Sequence, residues 1–97
     1  MIKYEVRTVN VDTKDGKNAF KKFNSLVDQD TELLKSFDNL DDARKFYDTI
    51  STSVRYMGGF YSHECKLLEQ NEYDDEGEWV AGGDWWVYDF PNAKDND

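Results

Sequence analysis

The sequence predicts a small single-domain α+β fold: a mainly antiparallel sheet with one or two helices packed on one face. Three observations carry that reading. Ile2, Tyr4 and Val6 alternate with Lys3, Glu5 and Arg7, the period-two pattern of a half-buried strand. Asp38 to Ile50 carries apolar residues at helical spacing behind a capping residue. Ser62 to Phe90 reads as two long strands joined by the acidic turn Asp74-Asp75-Glu76-Gly77. At 97 residues the chain suits one domain over residues 1–90, followed by a polar tail over residues 91–97 that is expected to fray.

The elements follow in order. Val9 and Val11 are out of phase with Ile2, Tyr4 and Val6, which suggests a bulge near Thr8. Asp12 to Gly16 is a turn cluster. Ala19, Phe20, Phe23, Leu26 and Val27 lie on one helical face, so a short helix is expected from about Asn18 to Asp28, capped by Asn18 or Asp15. Thr31 to Phe37 fits a short strand whose phase is left ambiguous by the adjacent Leu33 and Leu34. In the second helix Asp38 or Asn39 is the cap, Asp41 and Asp42 suit the positive end of the dipole, and Leu40, Ala43, Phe46 or Tyr47, and Ile50 form the buried stripe. Val54 to Met57 is expected to be extended, and Gly58-Gly59 is a loop. The resulting order is β-α-β-α-β-β, or ββαββ without the first helix.

The hairpin organises the rest. Gly77 supplies the positive φ that a short acidic loop needs. Tyr61, His63, Cys65 and Leu67 share one face of the first arm. In the second arm Trp86, Tyr88 and Phe90 share one face, while Trp85 and Val87 take the other. An arm apolar on both faces suggests an inner strand or an edge covered by a partner. Gly82-Gly83 reads as a bulge or a second turn.

Charge narrows the function. The formal net charge is −9, yet residues 1–27 carry six basic and three acidic side chains. From Leu67 to Ala93 there are eight carboxylates and no lysine or arginine. Such a surface repels nucleic-acid phosphates and attracts a basic protein surface. The small positive patch of Lys14, Lys17, Lys21 and Lys22 does not outweigh it as a nucleic-acid site. No stretch approaches the roughly 20 apolar residues of a membrane span, and the strand pattern begins at Met1-Ile2, so neither a membrane anchor nor a leader is expected. One cysteine makes no internal disulfide, and the expected location is cytoplasmic.

No residue pattern builds a catalytic or metal centre. His63 and Cys65, the one histidine and the one cysteine, stand two apart on a strand. Neighbours at that spacing lie roughly 6.5 Å apart, beyond hydrogen-bond reach for a nucleophile pair. A zinc site needs about four ligands, and no spacing supplies the others. Glu72 to Glu78 resembles a calcium loop, but with Gly77 at its sixth position the twelfth is Gly83 and the bidentate carboxylate is missing. No cofactor is expected.

The expected function is therefore a non-enzymatic protein-interaction module that offers an acidic, aromatic surface to a basic partner, with a homodimer as one form of it. Its partner-facing residues are expected to be Asp74, Asp75, Glu76 and Glu78 with Trp79, Trp85 or Trp86 beside them. Two other classes stand beside it. One is an acidic inhibitor that mimics nucleic acid, of the kind phages and other mobile elements encode. The other is a small enzyme with His63 and a carboxylate in a deep pocket. No motif names a family.

Overall fold

A computed structural model describes residues 1–25 and 30–93, and of Asp84, Trp85 and Trp86 it describes the backbone alone. The elements are β1 (Ile2–Thr13), α1 (Ala19–Ser25), β2 (Glu32–Phe37), α2 (Leu40–Thr49), β3 (Ser53–Tyr56), β4 (Tyr61–Tyr73) and β5 (Trp79–Asp89). The strands form one antiparallel sheet in the order β2-β1-β4-β3, with β5 also paired to β4. The α+β class expected from the sequence holds. No helix among the described residues is long and apolar enough to cross a membrane.

Strand β4 is the centre. One of its edges pairs with β1 without a break, from Tyr61 opposite Thr13 to Glu72 opposite Ile2. The other edge is shared end to end: β3 takes Tyr61 to Glu64, and β5 takes Lys66 to Tyr73. The first arm of the hairpin is thus the inner strand.

The unbroken register corrects two expectations. There is no bulge in β1 against β4, so Val9 and Val11 face opposite to Tyr4 and Val6 by plain alternation. Both faces of the sheet are covered, each by its own helix. Val9, Val11, Cys65 and Leu67 pack with Ala19 and Phe23 of α1 and with Phe90. Val6 and Leu68 pack on the other face with Ala43 and Tyr47 of α2, flanked by Tyr4, Phe37, Leu40, Phe46, Ile50 and Val87. The helices therefore do not share a face. Adjacent Leu67 and Leu68, both fully buried, point into the two half-cores.

Local chemistry sets the helices. In α2, Asn39 is the cap: its Oδ1 accepts the Asp42 N–H at 2.8 Å, and its Nδ2 donates to Asp42 Oδ2 at 2.8 Å. Tyr47 occupies the buried stripe, with Phe46 half-buried beside Phe37. In α1, the Asn18 carbonyl accepts the Lys22 N–H at 3.1 Å while Asn18 itself adopts φ 59°. Asparagine tolerates that left-handed conformation better than most residues. The expected continuation of this helix, residues 26–28, lies outside the described residues.

The irregularity of the sheet is concentrated in its edge strands. Leu34 is an extra residue of β2 opposite the Val6–Arg7 step, which explains the ambiguous phase of the two leucines; both are exposed. Eleven residues of β5 oppose eight of β4, and the three extra ones are Val80, Gly83 and Trp86. With Trp86 as the extra residue, the backbones of Trp85 and Val87, expected on one face, oppose the adjacent residues Glu69 and Leu68. Each such insertion adds local twist and bends the strand. Gly82 is required at one of them: it has φ 124°, and a Cβ there would sit 2.4 Å from the Gln70 carbonyl oxygen.

Pro91, Asn92 and Ala93 are bound to the fold, which corrects the fraying expected of them. Because β3 occupies the edge of β4 beyond Lys66, the chain leaves the sheet after Asp89. The Ala93 N–H then donates to the Gly16 carbonyl at 2.7 Å, and Asn92 Oδ1 accepts the Asn18 N–H at 3.2 Å. Residues 94–97 lie outside the described residues.

Four substitutions check this packing. Gly82→Ala is expected to destabilise the protein by about 2–3 kcal/mol, since clash adds to backbone strain. Gly77→Ala, where no atom lies within 4 Å of the added Cβ, should cost about 1–2 kcal/mol for φ alone. In α2, Tyr47→Ala should cost about 3–5 kcal/mol and half-buried Phe46→Ala about half as much. Denaturant melts measure all four.

Candidate interaction surface

The hairpin tip is built by Asp74. Its Oδ1 accepts the N–H groups of Glu76 and Glu78, both at 2.9 Å. Its backbone closes the loop: Gly77 N–H donates to Asp74 O at 3.0 Å, and Asp74 N–H donates to Glu78 O at 2.9 Å. Gly77 has φ 83°, the left-handed position of a turn followed by a glycine bulge. Asp74, Asp75, Glu76 and Glu78 are all exposed. Asp74 holds the loop together, so three of the four carboxylates are left to face solvent.

Trp79 stands beside them, opposite Tyr73, with 58% of its surface exposed. Val80, the extra residue next to it, is 53% exposed, and Ile2 is 41% exposed nearby on β1. The side chains of Trp85 and Trp86, which the sequence also proposed for this surface, lie outside the described residues. The backbone of Trp85 pairs with Glu69, four positions along β4 from Tyr73.

The indole of Trp79 is held. Its Nε1–H donates to Asn71 Oδ1 at 3.0 Å. Asn71, buried, donates through Nδ2 to Glu5 Oε1 at 2.8 Å and to Glu69 Oε2 at 3.2 Å. Tyr73 O–H donates to Glu5 Oε2 at 2.7 Å. Arg7 donates through Nη2 to Glu5 Oε1 at 2.8 Å, pairs through Nε with Glu69 Oε2 at 3.2 Å, and reaches Thr31 Oγ1 at 3.3 Å. These residues share one sheet face because Glu5 opposes Glu69, Lys3 opposes Asn71, and Arg7 opposes Leu67. The network lies on the face that α1 covers farther along.

Glu5 is only 4% exposed, and its charge is compensated. Burial pushes its pKa up, but the hydrogen bonds from Arg7, Tyr73 and Asn71 and the Arg7 charge together outweigh burial and hold it below 4.5. The same bond to Glu5, helped by burial, raises the Tyr73 phenol above 10. No buried side-chain nitrogen or oxygen among the described residues lacks a partner.

The sequence did not point to this network. Its one local sign is the Glu5–Arg7 pair, opposite charges two apart on a strand. Period-two reading placed both on a solvent face, because Asn71 and Tyr73 meet them only through pairing across more than 60 residues.

His63 and Cys65 share a face and are both buried; the Cys65 thiol donates to the His63 carbonyl at 3.5 Å, while the imidazole nitrogens are bonded elsewhere. His63 Nδ1 lies 2.7 Å from the Pro91 carbonyl, so it is the donor there. Nε2 lies 2.7 Å from Thr13 Oγ1, which itself accepts the Gly16 N–H at 3.0 Å. In the neutral imidazole with its proton on Nδ1, the Thr13 hydroxyl donates to Nε2. This chain of bonds ties β4 to the β1–α1 turn and to the C-terminal segment. Burial, with a smaller contribution from Asp89, pushes the Cys65 thiol up to about 12, so it is a poor thiolate source. Among the described residues no group of three or more histidine, cysteine, aspartate or glutamate side chains is arranged to hold a metal ion.

No family model matches the chain, and no curated protein or solved structure matches it.

The network sets a pH dependence. Glu5 is lowered on folding, so its stabilisation is complete above pH 4.5 and is lost as pH falls through the folded value. Tyr73 is raised, so its contribution is complete below pH 10 and is lost as pH rises through its folded value. Glu5→Gln should cost about 2–3 kcal/mol at neutral pH. The gap between wild type and this variant, measured by urea melts, should narrow steadily below pH 4.5.

Proposed function

We propose that the protein is a non-enzymatic interaction module whose working surface is the β4–β5 hairpin tip, and that its partner is a protein with a basic surface. One observation carries this reading. Trp79 is largely exposed beside Asp75, Glu76 and Glu78, yet its indole is tethered to Asn71 and through it to the Glu5–Arg7 network. A large ring left in solvent is an unfavourable arrangement for the isolated chain. Fixing its orientation in advance lowers the ordering cost of binding. A ring flanked by carboxylates suits a groove lined by lysine or arginine, where the stems meet the ring and the charges meet the acids.

The roles divide between the two chemistries. The carboxylates steer the encounter and set its salt dependence, while the ring, desolvated in the complex, sets the residence time. Asp74 differs from its neighbours because it also caps the loop; an asparagine there keeps the accepting oxygen.

A lysine-rich peptide tests this by stopped-flow tryptophan fluorescence. The triple change Asp74→Asn, Asp75→Asn, Glu76→Gln should slow association about tenfold at low salt and flatten its salt slope, with stability little changed. Trp79→Ala should leave the association rate within about twofold and speed dissociation about tenfold or more, read in that variant through a dye on the peptide. Unchanged rates in both variants would remove the tip as a binding surface.

A further inference from the structure

We infer that the partner of the hairpin tip is a second copy of this chain, whose lysine-lined groove beside α1 receives Trp79 and its flanking carboxylates. The inference rests on the reading of the tip as a binding surface. It adds the occupant and the geometry.

The groove has a volume of about 380 Å³ and is lined by Thr13, Lys14, Asp15, Lys17, Lys21 and Lys22, among others. That volume falls in the range of about 300–1,000 Å³ that receives small-molecule-sized groups, large enough for an indole. Lys14, Lys21 and Lys22 supply apolar stems and charged ends along one groove. Asp15 also lines the groove; its Oδ1 accepts the Lys17 N–H at 3.0 Å, and its negative charge offsets one of the four lysines. Lys22 Nζ donates to the Asp12 carbonyl, a neutral acceptor, and makes no ion pair among the described residues. The groove is thus a basic, partly apolar recess in an acidic protein. Its features mirror those of the tip: aromatic ring against stems, carboxylates against ammonium groups.

The two surfaces cannot meet within one molecule. The tip adjoins the Ile2 end of β1, and the groove adjoins the Thr13 end. Twelve strand residues separate them by about 36 Å at a rise near 3.3 Å per residue. The molecule measures 52 Å along its longest axis. A surface at one end that complements a surface at the other makes a heterologous contact, which propagates head to tail. The net charge of −9 opposes close approach of copies, so the contact is weak and forms at high protein concentration.

Sedimentation equilibrium of the full chain tests it. Wild type should show a mass that rises with concentration and falls back toward the monomer as salt is added. Two variants disable one end each: Asp75→Asn with Glu76→Gln and Glu78→Gln at the tip, and Lys14→Glu with Lys21→Glu at the groove. Each alone should bind itself at least about tenfold more weakly than wild type. Mixed in equal amounts, they retain one working tip and one working groove, so a one-to-one dimer and nothing larger should form. If the groove variant does not fold by circular dichroism, Lys14→Gln with Lys21→Gln replaces it, with the same expectation. A wild type that stays monomeric, association that strengthens with salt, or a mixture without dimer each overturns the inference. Binding of a lysine-rich peptide by a monomeric wild type would sink self-docking alone; loss of peptide binding as well would sink the tip as a surface.

Discussion

The fold depends on how the two edges of β4 are used. One edge is given wholly to β1, and the other is divided between β3 and β5. Division of that edge forces the end of β5 off the sheet, because β3 already pairs with the residues it would meet next. Phe90 turns onto the α1 side and packs with Phe20 and Phe23, at ring centroid distances of 5.3 Å and 5.2 Å. Pro91 then supplies the carbonyl that buried His63 requires. The histidine is thus explained by chain routing: it is the polar fastener where three segments converge.

The same shared edge shapes the hairpin. β5 carries three more residues than the stretch of β4 it opposes, and its bending is permitted by Gly82, whose missing Cβ lets the Gln70 carbonyl approach. Toward the tip, no described residue of either helix packs among the buried residues of the α1 face. The polar groups there are compensated by one another: Glu5, Arg7, Glu69, Asn71 and Tyr73 form one bonded set. A network of this kind is sensitive to the loss of any member, because a buried group left unpaired costs more than a bond made gains. It also gives the exposed indole of Trp79 a fixed anchor.

What was legible in the sequence was local. The alternation of Ile2, Tyr4 and Val6, the Asn39 cap with the Ala43 and Tyr47 stripe, and the Asp74 to Gly77 turn each express their structure within a few residues. What was not legible required knowing which strand lies beside which. Val9 and Val11 were consistent with a bulge in β1 until β4 was in place; with it, they are the second apolar face of an inner strand. Leu67 and Leu68 side by side carry the same message. Of the residues expected on the interaction surface, the four acids and Trp79 come together at one tip. Its anchor, from Glu5 and Arg7 to Asn71, was hidden by pairing across most of the chain.

The central claim is that Trp79 is presented to solvent in a fixed orientation by its bond to Asn71. Nuclear magnetic resonance hydrogen exchange at the Trp79 indole N–H reads that bond directly. Exchange should be slowed well below that of a free indole, with the protection lost on Asn71→Ala. An indole N–H that exchanges as fast as free tryptophan in the folded wild type would contradict it.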